Sequence, residues 1–251
     1  MKETKKRFAI GKKMYLFIFA TILFAVASVC ALSYVISASQ IDNYFKRLTS
    51  NSARSVASLM DAAYLKELSE AVQSEEYQAI REVAEETEDD TEVIAFLQEK
   101  GLWEKYEEQR NLMITYVDDM DDIKYLYAIK WGTAEENLDM YLLDADDVPI
   151  AETGYYELRE AEFEGTDPTK EIAPVISHGD WGWLCSGYYP VYDEDGSIIC
   201  HIGCDVGMDD VMKERRENLT YVIISAVVCT VIVLVGAFVF INRTVVWPLN
   251  K

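Results

Sequence analysis

Two long runs of apolar side chains frame the chain. Residues 14–36 and 219–241 are each 23 residues long and contain no charged side chain. A helix that crosses a bilayer needs about 20 such residues, so each run is predicted to be a transmembrane helix. The apolar region of a signal peptide spans only about 7–15 residues before its cleavage site, which favours an uncleaved anchor for the first run.

The first part of the segment between these runs has a helical pattern. No proline or glycine occurs from residue 37 to residue 86, and apolar residues recur there at spacings near the helical period. They include Tyr44, Leu48, Val56, Leu59 and Ala63. This pattern predicts one long helix that continues from the first membrane segment. The acidic residues 82–93 predict a surface turn or a helix end, and a second helix is expected around residues 94–113.

Aromatic and β-branched residues dominate four later segments, which predicts strands of one mostly antiparallel sheet. The four segments are residues 123–131, 138–146, 181–192 and 197–206. Asp195-Gly196 separates the last two and favours a hairpin turn, because glycine readily adopts positive φ. Residues 147–180 contain several glycines and prolines and are expected to form a long irregular loop with room for one short strand. Long loops of this kind often cover a functional site.

These elements together predict an α+β fold in which a long N-terminal helix packs on a mostly antiparallel sheet between two transmembrane helices. Six basic side chains precede the first span, and basic residues favour the cytoplasmic side. We therefore expect five parts, which are a cytoplasmic tail (1–13), a transmembrane helix (14–36), an extracytoplasmic domain (37–218), a second transmembrane helix (219–241) and a cytoplasmic linker (242–251). The protein is thus expected to be a multi-pass protein of the cell membrane. Lys213, Arg215 and Arg216 precede the second span and favour the opposite orientation.

Charge narrows the range of partners. The chain has a net charge of −21, and because its N-terminal tail is basic, the central domain is more acidic still. Such an excess of negative charge argues against a nucleic-acid partner and raises the local concentration of cations. Roughly 180 residues lie between the two spans, enough for one domain with its own core.

The side chains of the last two predicted strands can be assigned to two faces, because successive strand residues point to opposite sides of a sheet. Ile198, Cys200, Ile202, Cys204 and Val206 form an apolar face that is expected to pack on the long helix. His201, Gly203 and Asp205 lie on the other face, and the proposed register puts Ser186 opposite Gly203 and Tyr188 opposite His201. An unpaired carboxylate is costly to bury, so Asp205 is expected to meet a bound cation or amine.

Asp205 has a second interpretation, in which it caps a turn or pairs with Lys130 or Arg216. The same register places Cys185 opposite Cys204, so these residues are either a disulfide or two buried thiols. His178, Asp180 and His201 lack a metal-ligand spacing, and no metal or cofactor is expected. No phosphate-binding glycine loop, nucleophile elbow or catalytic Ser/His/Asp order occurs in the sequence, so an enzyme is not expected.

Three segments carry a resemblance to a known family, namely YLYAIKW (125–131), LDMYLLDAD (138–146) and WGWLCSGYYPVYDEDGSIICHIGCDVGMDDV (181–211). With them the chain resembles the extracytoplasmic Cache sensor domains of bacterial chemoreceptors, sensor kinases and cyclic-dinucleotide enzymes. The resemblance covers roughly residues 37–217, and the third segment is similar to the closing hairpin of that family. It implies a PAS-like sheet and a receptor that signals across the membrane. Residues 242–249, NRTVVWPL, resemble the start of a HAMP linker.

The resemblance also implies a ligand site. In amino-acid-binding Cache domains, an acid near this strand end contacts the ammonium group of the ligand, which implies this role for Asp205. Such sites are mostly apolar with a few polar groups. The candidate ligand-binding residues are Tyr125, Tyr127, Tyr141, Trp183, Ser186, Tyr188, His201 and Asp205. The aromatic residues could instead be ordinary core side chains, and the sequence does not place the arginine that the family uses for a ligand carboxylate.

We therefore expect a receptor for a small-molecule ligand, an amine or an amino acid. Paired membrane helices usually associate across a two-fold axis, so a homodimer is expected. The alternative is a membrane-tethered ectodomain that binds a surface partner and passes no signal across the membrane.

Overall fold

The computed structural model describes residues 2–132, 137–169 and 172–243, with the backbone alone for residues 2–14. These residues fall into two compact units. The first comprises the described parts of residues 1–41 and 210–251, and the second comprises Asp42–Asp209.

The first unit contains two helices that are long and apolar enough to cross a membrane. They are helix α1 (Lys2–Ala57), whose last residues belong to the second unit, and helix α6 (Asp209–Ile241). None of the residues in their most apolar windows is buried within the protein. Within this unit Tyr15 Oη donates a hydrogen bond to Asn242 Oδ1 at 3.2 Å. Exposed apolar surface of this extent is consistent with a membrane protein.

The helical part of the second unit is divided into more helices than the sequence pattern predicts. One helix was expected over residues 37–86, and this prediction is wrong because α1 ends at Ala57. It is followed by α2 (Ala62–Val72) and α3 (Glu75–Thr87). The side chain of Asp61 accepts a hydrogen bond from the N–H of Tyr64 at 3.0 Å, and Ser74 Oγ accepts one from Tyr77 at 3.3 Å. These two N-caps start new helices without any proline or glycine.

The second predicted helix, around residues 94–113, is also two helices. These are α4 (Thr91–Glu99) and α5 (Trp103–Asp118). Gly101 lies between them with φ +71°, a backbone conformation that favours glycine and ends helices. The acidic stretch 82–93 contains the end of α3 and a turn at Glu88, as predicted.

A six-stranded antiparallel sheet forms the rest of the second unit, with strand order β3-β2-β1-β6-β5-β4. The strands are β1 (Ile123–Trp131), β2 (Leu138–Asp144), β3 (Tyr156–Leu158), β4 (Ile172–Gly179), β5 (Gly182–Tyr192) and β6 (Ile198–Gly207). All four predicted strands are confirmed to within two residues at each end. The fold is therefore α+β, with a long N-terminal helix and an antiparallel sheet.

The expected loop over residues 147–180 contains more regular structure than predicted. Strands β3 and β4 lie in it, together with two 3-10 helices, Ile150–Glu152 and Ala161–Phe163. Pro174 is one of the prolines for which an irregular loop was expected here, yet it lies in β4, an edge strand, where a missing N–H is tolerated.

The hairpin of β5 and β6 has a different register from the one predicted. Ser186 pairs with Asp205, Tyr188 with Gly203, and Pro190 with His201. The pairing is shifted by two residues, helped by an irregularity between Val191 and Tyr192. A shift of two residues leaves every side chain on its predicted face, whereas a shift of one would reverse the faces.

The apolar face of this hairpin packs on helices, as predicted. Thr49 Oγ1 of α1 donates a hydrogen bond to the carbonyl of Cys185 at 3.2 Å. Ile202, Cys204 and Val206 have no exposed surface. The new register places Cys185 opposite Val206, and Cys185, Cys200 and Cys204 are free, buried thiols.

Candidate functional site

A cavity of about 580 Å³ lies over the polar face of the sheet in the second unit. Its walls come from β1, β2, β3, β5 and β6, from helix α3 and from the segment between β2 and β4. Pockets of about 300–1,000 Å³ are typical of small-ligand sites. The cavity is therefore large enough for a small organic molecule.

Aromatic rings line much of the cavity. The described lining includes Tyr125, Tyr127, Tyr141, Tyr155, Trp181 and Tyr188. The hydroxyl groups of Tyr127 and Tyr188 lie 3.0 Å apart, and the Tyr141 ring centroid is 5.6 Å from that of Tyr127. Burial raises the pKa of Tyr127 and of Tyr188 well above the ordinary value, so both stay neutral. These rings provide apolar contact area with hydroxyl groups at fixed positions.

Gly203 leaves room for the tyrosine wall, which consists of the rings of Tyr127, Tyr141 and Tyr188. It lies opposite Tyr127 on β1 and opposite Tyr188 on β5. A Cβ atom added at Gly203 would lie 2.3 Å from a carbon of the Tyr127 ring. A side chain at position 203 would therefore displace Tyr127 from its place in the wall.

Asp205 is the buried acid of the cavity. It lies between Tyr125 and Ser186 on the neighbouring strands and is 6% exposed. Its Oδ1 has no hydrogen-bond partner among the described residues. Burial raises the pKa of Asp205 to about 7, although hydrogen bonds from Ser186 and Tyr127 oppose the shift.

No base neutralises Asp205 within the described part of the chain. The ion pairs there do not include it, and Lys130 Nζ donates instead to Gln73 Oε1 at 3.2 Å. The buried carboxylate thus has no charge partner in the described structure, and one of its oxygens has no hydrogen bond.

The described lining of the cavity contains nine carboxylates and two arginines. The carboxylates are Glu85, Glu88, Asp139, Asp144, Asp146, Glu152, Glu157, Glu160 and Asp205. Burial raises the pKa of Asp144 to about 6 and also raises the pKa values of Glu152 and Glu160. Crowded, half-buried carboxylates favour a positively charged ligand, because a cation relieves both their repulsion and their lost hydration.

Both arginines of the lining already have carboxylate partners. Arg159 Nε donates to Asp139 Oδ2 at 2.9 Å and its Nη2 to the carbonyl of Gly132 at 3.0 Å. The Arg159 guanidinium also lies 4.2 Å from the Trp131 ring centroid. Arg81 Nη1 donates to Glu85 Oε2 at 2.8 Å, and its guanidinium lies 5.5 Å from the Tyr155 ring centroid.

Five of the eight candidate residues line the cavity, namely Tyr125, Tyr127, Tyr141, Tyr188 and Asp205. Ser186 lies beside Asp205 without itself lining the cavity. Trp183 and His201 lie elsewhere. Strand alternation puts Trp183 on the face of Cys185, where its ring centroid is 5.0 Å from that of His178.

His201 belongs to the core beside the cavity. It is 1% exposed, and its ring centroid lies 5.5 Å from that of Trp131. Burial lowers the pKa of His201 to about 4, so the imidazole is neutral at pH 7. Trp131 and Phe163 fill this end of the concave face, which leaves the cavity at the end where Asp205 lies.

Sequence reasoning did not identify several lining residues. Trp181 precedes β5 and contacts the ring of Tyr125 at 5.8 Å between centroids. Arg81 and Glu85 come from α3, more than 100 residues from β6 along the chain. Strand alternation could have indicated Leu184 in place of Trp183, but nothing local in the sequence indicates that α3 reaches the sheet.

Among the described residues, no group of three or more His, Cys, Asp or Glu side chains has a geometry that could hold a metal ion. The acidic side chains of the lining are therefore spread along the cavity instead of converging on one point.

No protein-family model, curated protein or solved structure matches the chain.

Proposed function

We propose that the protein is a transmembrane signal-transduction receptor whose central domain lies outside the cytoplasm and binds a small, positively charged solute. The observation that carries the proposal is Asp205, a buried carboxylate that lines a cavity of ligand size and has one oxygen without a hydrogen-bond partner in the described structure. The proposed identity of the domain is a PAS-like Cache domain, supported by the antiparallel sheet, the long N-terminal helix and the closing hairpin.

A buried carboxylate without a partner is costly in an otherwise stable domain, and such groups concentrate at functional sites. A bound ammonium group would neutralise Asp205 and contact the faces of the neighbouring tyrosine rings at the same time. The acidic lining gives the same charge preference over the whole cavity. These features support a ligand that carries at least one positive charge.

A short hydrogen-bonded connection links the cavity wall to the start of α6. Trp181 lines the cavity, and the next residues begin β5. The N–H of Trp183 donates to Asp209 Oδ1 at 3.0 Å, and the N–H of Met208 donates to the carbonyl of Trp183 at 2.8 Å. A ligand that moves this wall would therefore act on the first residue of α6. To transmit a signal, the ligand must bind one conformation of the sheet and α6 more tightly than another. A ligand with equal affinity for both conformations would not shift the equilibrium between them.

The first test is ligand binding by the full chain in a neutral detergent. Thermal unfolding is followed by tryptophan fluorescence in the presence of amines, amino acids, short organic acids and purines. We expect positively charged compounds to raise the melting temperature of the wild type and not that of the Asp205→Asn variant. Stabilisation by anionic compounds alone, or equal stabilisation of the variant, would remove Asp205 from the site.

The second test asks whether binding reaches the membrane helices. Tyr15 and Phe238 lie within one unit, with ring centroids 5.9 Å apart, and can be replaced by a cysteine pair in a Cys30→Ser, Cys229→Ser background. We expect the most stabilising compound of the first test to change the rate of disulfide formation between positions 15 and 238. The Asp205→Asn variant should show no such change. An unchanged rate with saturating ligand would favour the tethered ectodomain that passes no signal.

A further inference from the structure

We propose that the cavity is built for an organic dication, with one ammonium group bound at Asp205 and a second bound near Glu152 and Glu157. This inference rests on the proposed function and names the class of ligand that the same site takes. The two binding positions lie on different strands of the described cavity wall, at central strand β6 and around edge strand β3.

The inner position is defined by Asp205. Its side chain is more than nine-tenths buried and lines the cavity, and its Oδ1 lacks a hydrogen-bond partner in the described structure. Tyr127 and Tyr188 close the wall next to it, with their hydroxyl groups in mutual contact. A primary ammonium group can donate to the free carboxylate oxygen while its neighbouring methylene groups pack on these rings.

The outer position is defined by Glu152 and Glu157. Neither residue forms a salt bridge with any residue that the structure describes. Both line the cavity, and the N–H of Tyr155, two residues before Glu157, donates to the carbonyl of Glu152 at 3.0 Å. Two carboxylates that repel each other at a cavity wall provide a place for a second cation.

The path between the two positions is aromatic. From β6 to β3 the sheet crosses β1 and β2, which is three strand spacings or about 14 Å between backbones. Tyr127 of β1 and Tyr141 of β2 lie along this path, and both line the cavity. A flexible aliphatic chain with an ammonium group at each end matches this charge pattern and this apolar middle.

Two other ligand classes fit the described residues less well. A divalent metal ion needs several converging ligands, and no such group occurs in the described part of the chain. An α-amino acid needs a free cation for its carboxylate. Arg81 and Arg159 are the basic residues of the described lining, and each is already bound to a carboxylate, Glu85 and Asp139 respectively.

The experiment uses the full chain in nanodiscs of phosphatidylcholine, whose zero net charge keeps amines from collecting on the lipid. Calorimetric titration compares putrescine and spermidine with n-butylamine, which has the four-carbon chain of putrescine and a single ammonium group. We expect the diamine and the triamine to bind on the order of tenfold more tightly than the monoamine. A tenfold lower dissociation constant corresponds to the free energy of about one partly shielded ion pair.

Variants separate the two positions. Glu152→Gln/Glu157→Gln should lower spermidine affinity to the level of n-butylamine and leave n-butylamine affinity unchanged. Asp205→Asn should lower the affinity for all three amines. The matched control is Glu67→Gln/Glu70→Gln, which removes the same charge from exposed positions on α2 outside the cavity. This control should bind spermidine like the wild type.

Three results would overturn the inference. Equal affinity for n-butylamine and spermidine would remove the second ammonium position and leave the proposed receptor function intact. Equal weakening by the control pair would show that only general negative charge matters. Heat of binding from magnesium chloride that matches spermidine would assign the cavity to inorganic cations. The receptor function itself is judged by the disulfide test between positions 15 and 238.

Discussion

The carboxylate of Asp209 accepts a hydrogen bond from the backbone N–H of Trp183 at 3.0 Å. Asp209 is the first residue of α6, and Trp183 is the second residue of β5. Gly182 lies against the same carboxylate, with φ +91° and with only 2.6 Å between Asp209 Oδ2 and the place where a Cβ would be. The start of α6 is therefore fitted to the backbone beside the cavity.

Asp209→Ala is expected to disconnect these two elements. The loss of one exposed hydrogen bond should lower the free energy of unfolding by only about 1 kcal/mol. The larger effect should be on coupling, because amine binding would persist while the ligand-dependent change in disulfide formation between positions 15 and 238 would be lost. Calorimetric titration and the disulfide rate measure the two effects separately. The control is Asp210→Ala, which removes the neighbouring exposed acid and should preserve the coupling.

Gly203→Ala is expected to disrupt the tyrosine wall. The added Cβ would lie 2.3 Å from the Tyr127 ring, so the ring must move and the contact between Tyr127 and Tyr188 hydroxyls is broken. Overpacking of this kind costs about 1–3 kcal/mol. Urea denaturation in neutral detergent should show the loss of stability, and amine binding should weaken in the same variant.

Gly207→Ala is the matched control for this substitution. Gly207 is on the same strand, and a Cβ there would meet only side-chain atoms of Lys124 at 3.9 Å. We expect its midpoint of denaturation to stay close to that of the wild type. If both alanine variants lost the same stability, strand propensity and not the Tyr127 contact would be the cause.

Asp139→Ala is expected to be among the most destabilising single changes in the cavity wall. It leaves Arg159 buried without its carboxylate, and breaking a buried ion pair costs about 3–5 kcal/mol. The double variant Asp139→Leu/Arg159→Met should lose less, because no unpaired charge remains. Lys66→Ala breaks the more exposed pair with Asp193 and should cost about 1 kcal/mol or less. The denaturation midpoints of these three variants test the predicted order of their losses of stability.

The ionisation of Asp205 should make the ligand-free protein less stable as pH rises. Its pKa is about 7 in the folded protein, against the ordinary value of 3.8 for an aspartate side chain in the unfolded chain. Between these values the unfolded chain has released the proton while the folded chain still holds it, so the free energy of unfolding falls as pH increases. Asp205→Asn removes this penalty. The variant should gain about 4 kcal/mol over the wild type at pH 8 and little at pH 4.

His201 gives the free energy of unfolding the opposite pH dependence, in the wild type and in Asp205→Asn alike. Because its pKa is lowered to about 4 in the folded protein, the protein loses stability as pH falls below 6.5. Comparing the variant with the wild type at each pH cancels this term. Urea denaturation at pH 4, 6 and 8 supplies the comparison, with Asp210→Asn as a control that should follow the wild type. A constant difference between Asp205→Asn and wild type at all three values would contradict a raised pKa.

Ligand affinity should change with pH in the complementary direction. An ammonium group binds the ionised form of Asp205, so the affinity for spermidine should increase from pH 5 to pH 8 and level off above the pKa of about 7. Asp144, whose pKa is about 6, also lines the cavity and adds to the same trend. Titration calorimetry at several pH values measures the slope. Asp205→Asn should flatten it.

Local pattern was sufficient to predict the strands and the two faces of the closing hairpin. Alternation and aromatic content located β1, β2, β5 and β6 and placed Asp205 on the polar face. The exact pairing was wrong by two residues because the wider turn after Tyr192 is not encoded by Asp195-Gly196 alone. The error left the face assignments intact, which is why the cavity side of β6 was predicted.

Features that depend on distant contacts could not be predicted. Asp61 and Ser74 divide a proline-free helical stretch, and either residue could also have been an exposed position within a continuous helix. The prolines and glycines of residues 147–180 favoured an irregular loop, because the sequence does not show that β4, which contains Pro174, lies at an edge of the sheet. Arg81 reaches the cavity only because α3 packs beside the segment that follows β2, and no spacing in the sequence reports that proximity.

The two edges of the described sheet also determine how copies of this protein can meet. Pro174 deprives β4 of one backbone donor, and β3 at the other edge has only three residues, from Tyr156 to Leu158. Edges of this kind are poor templates for strand addition by a neighbouring molecule. Neighbouring copies should therefore not join through these edges into extended sheets, and contact between copies would have to form through other surfaces.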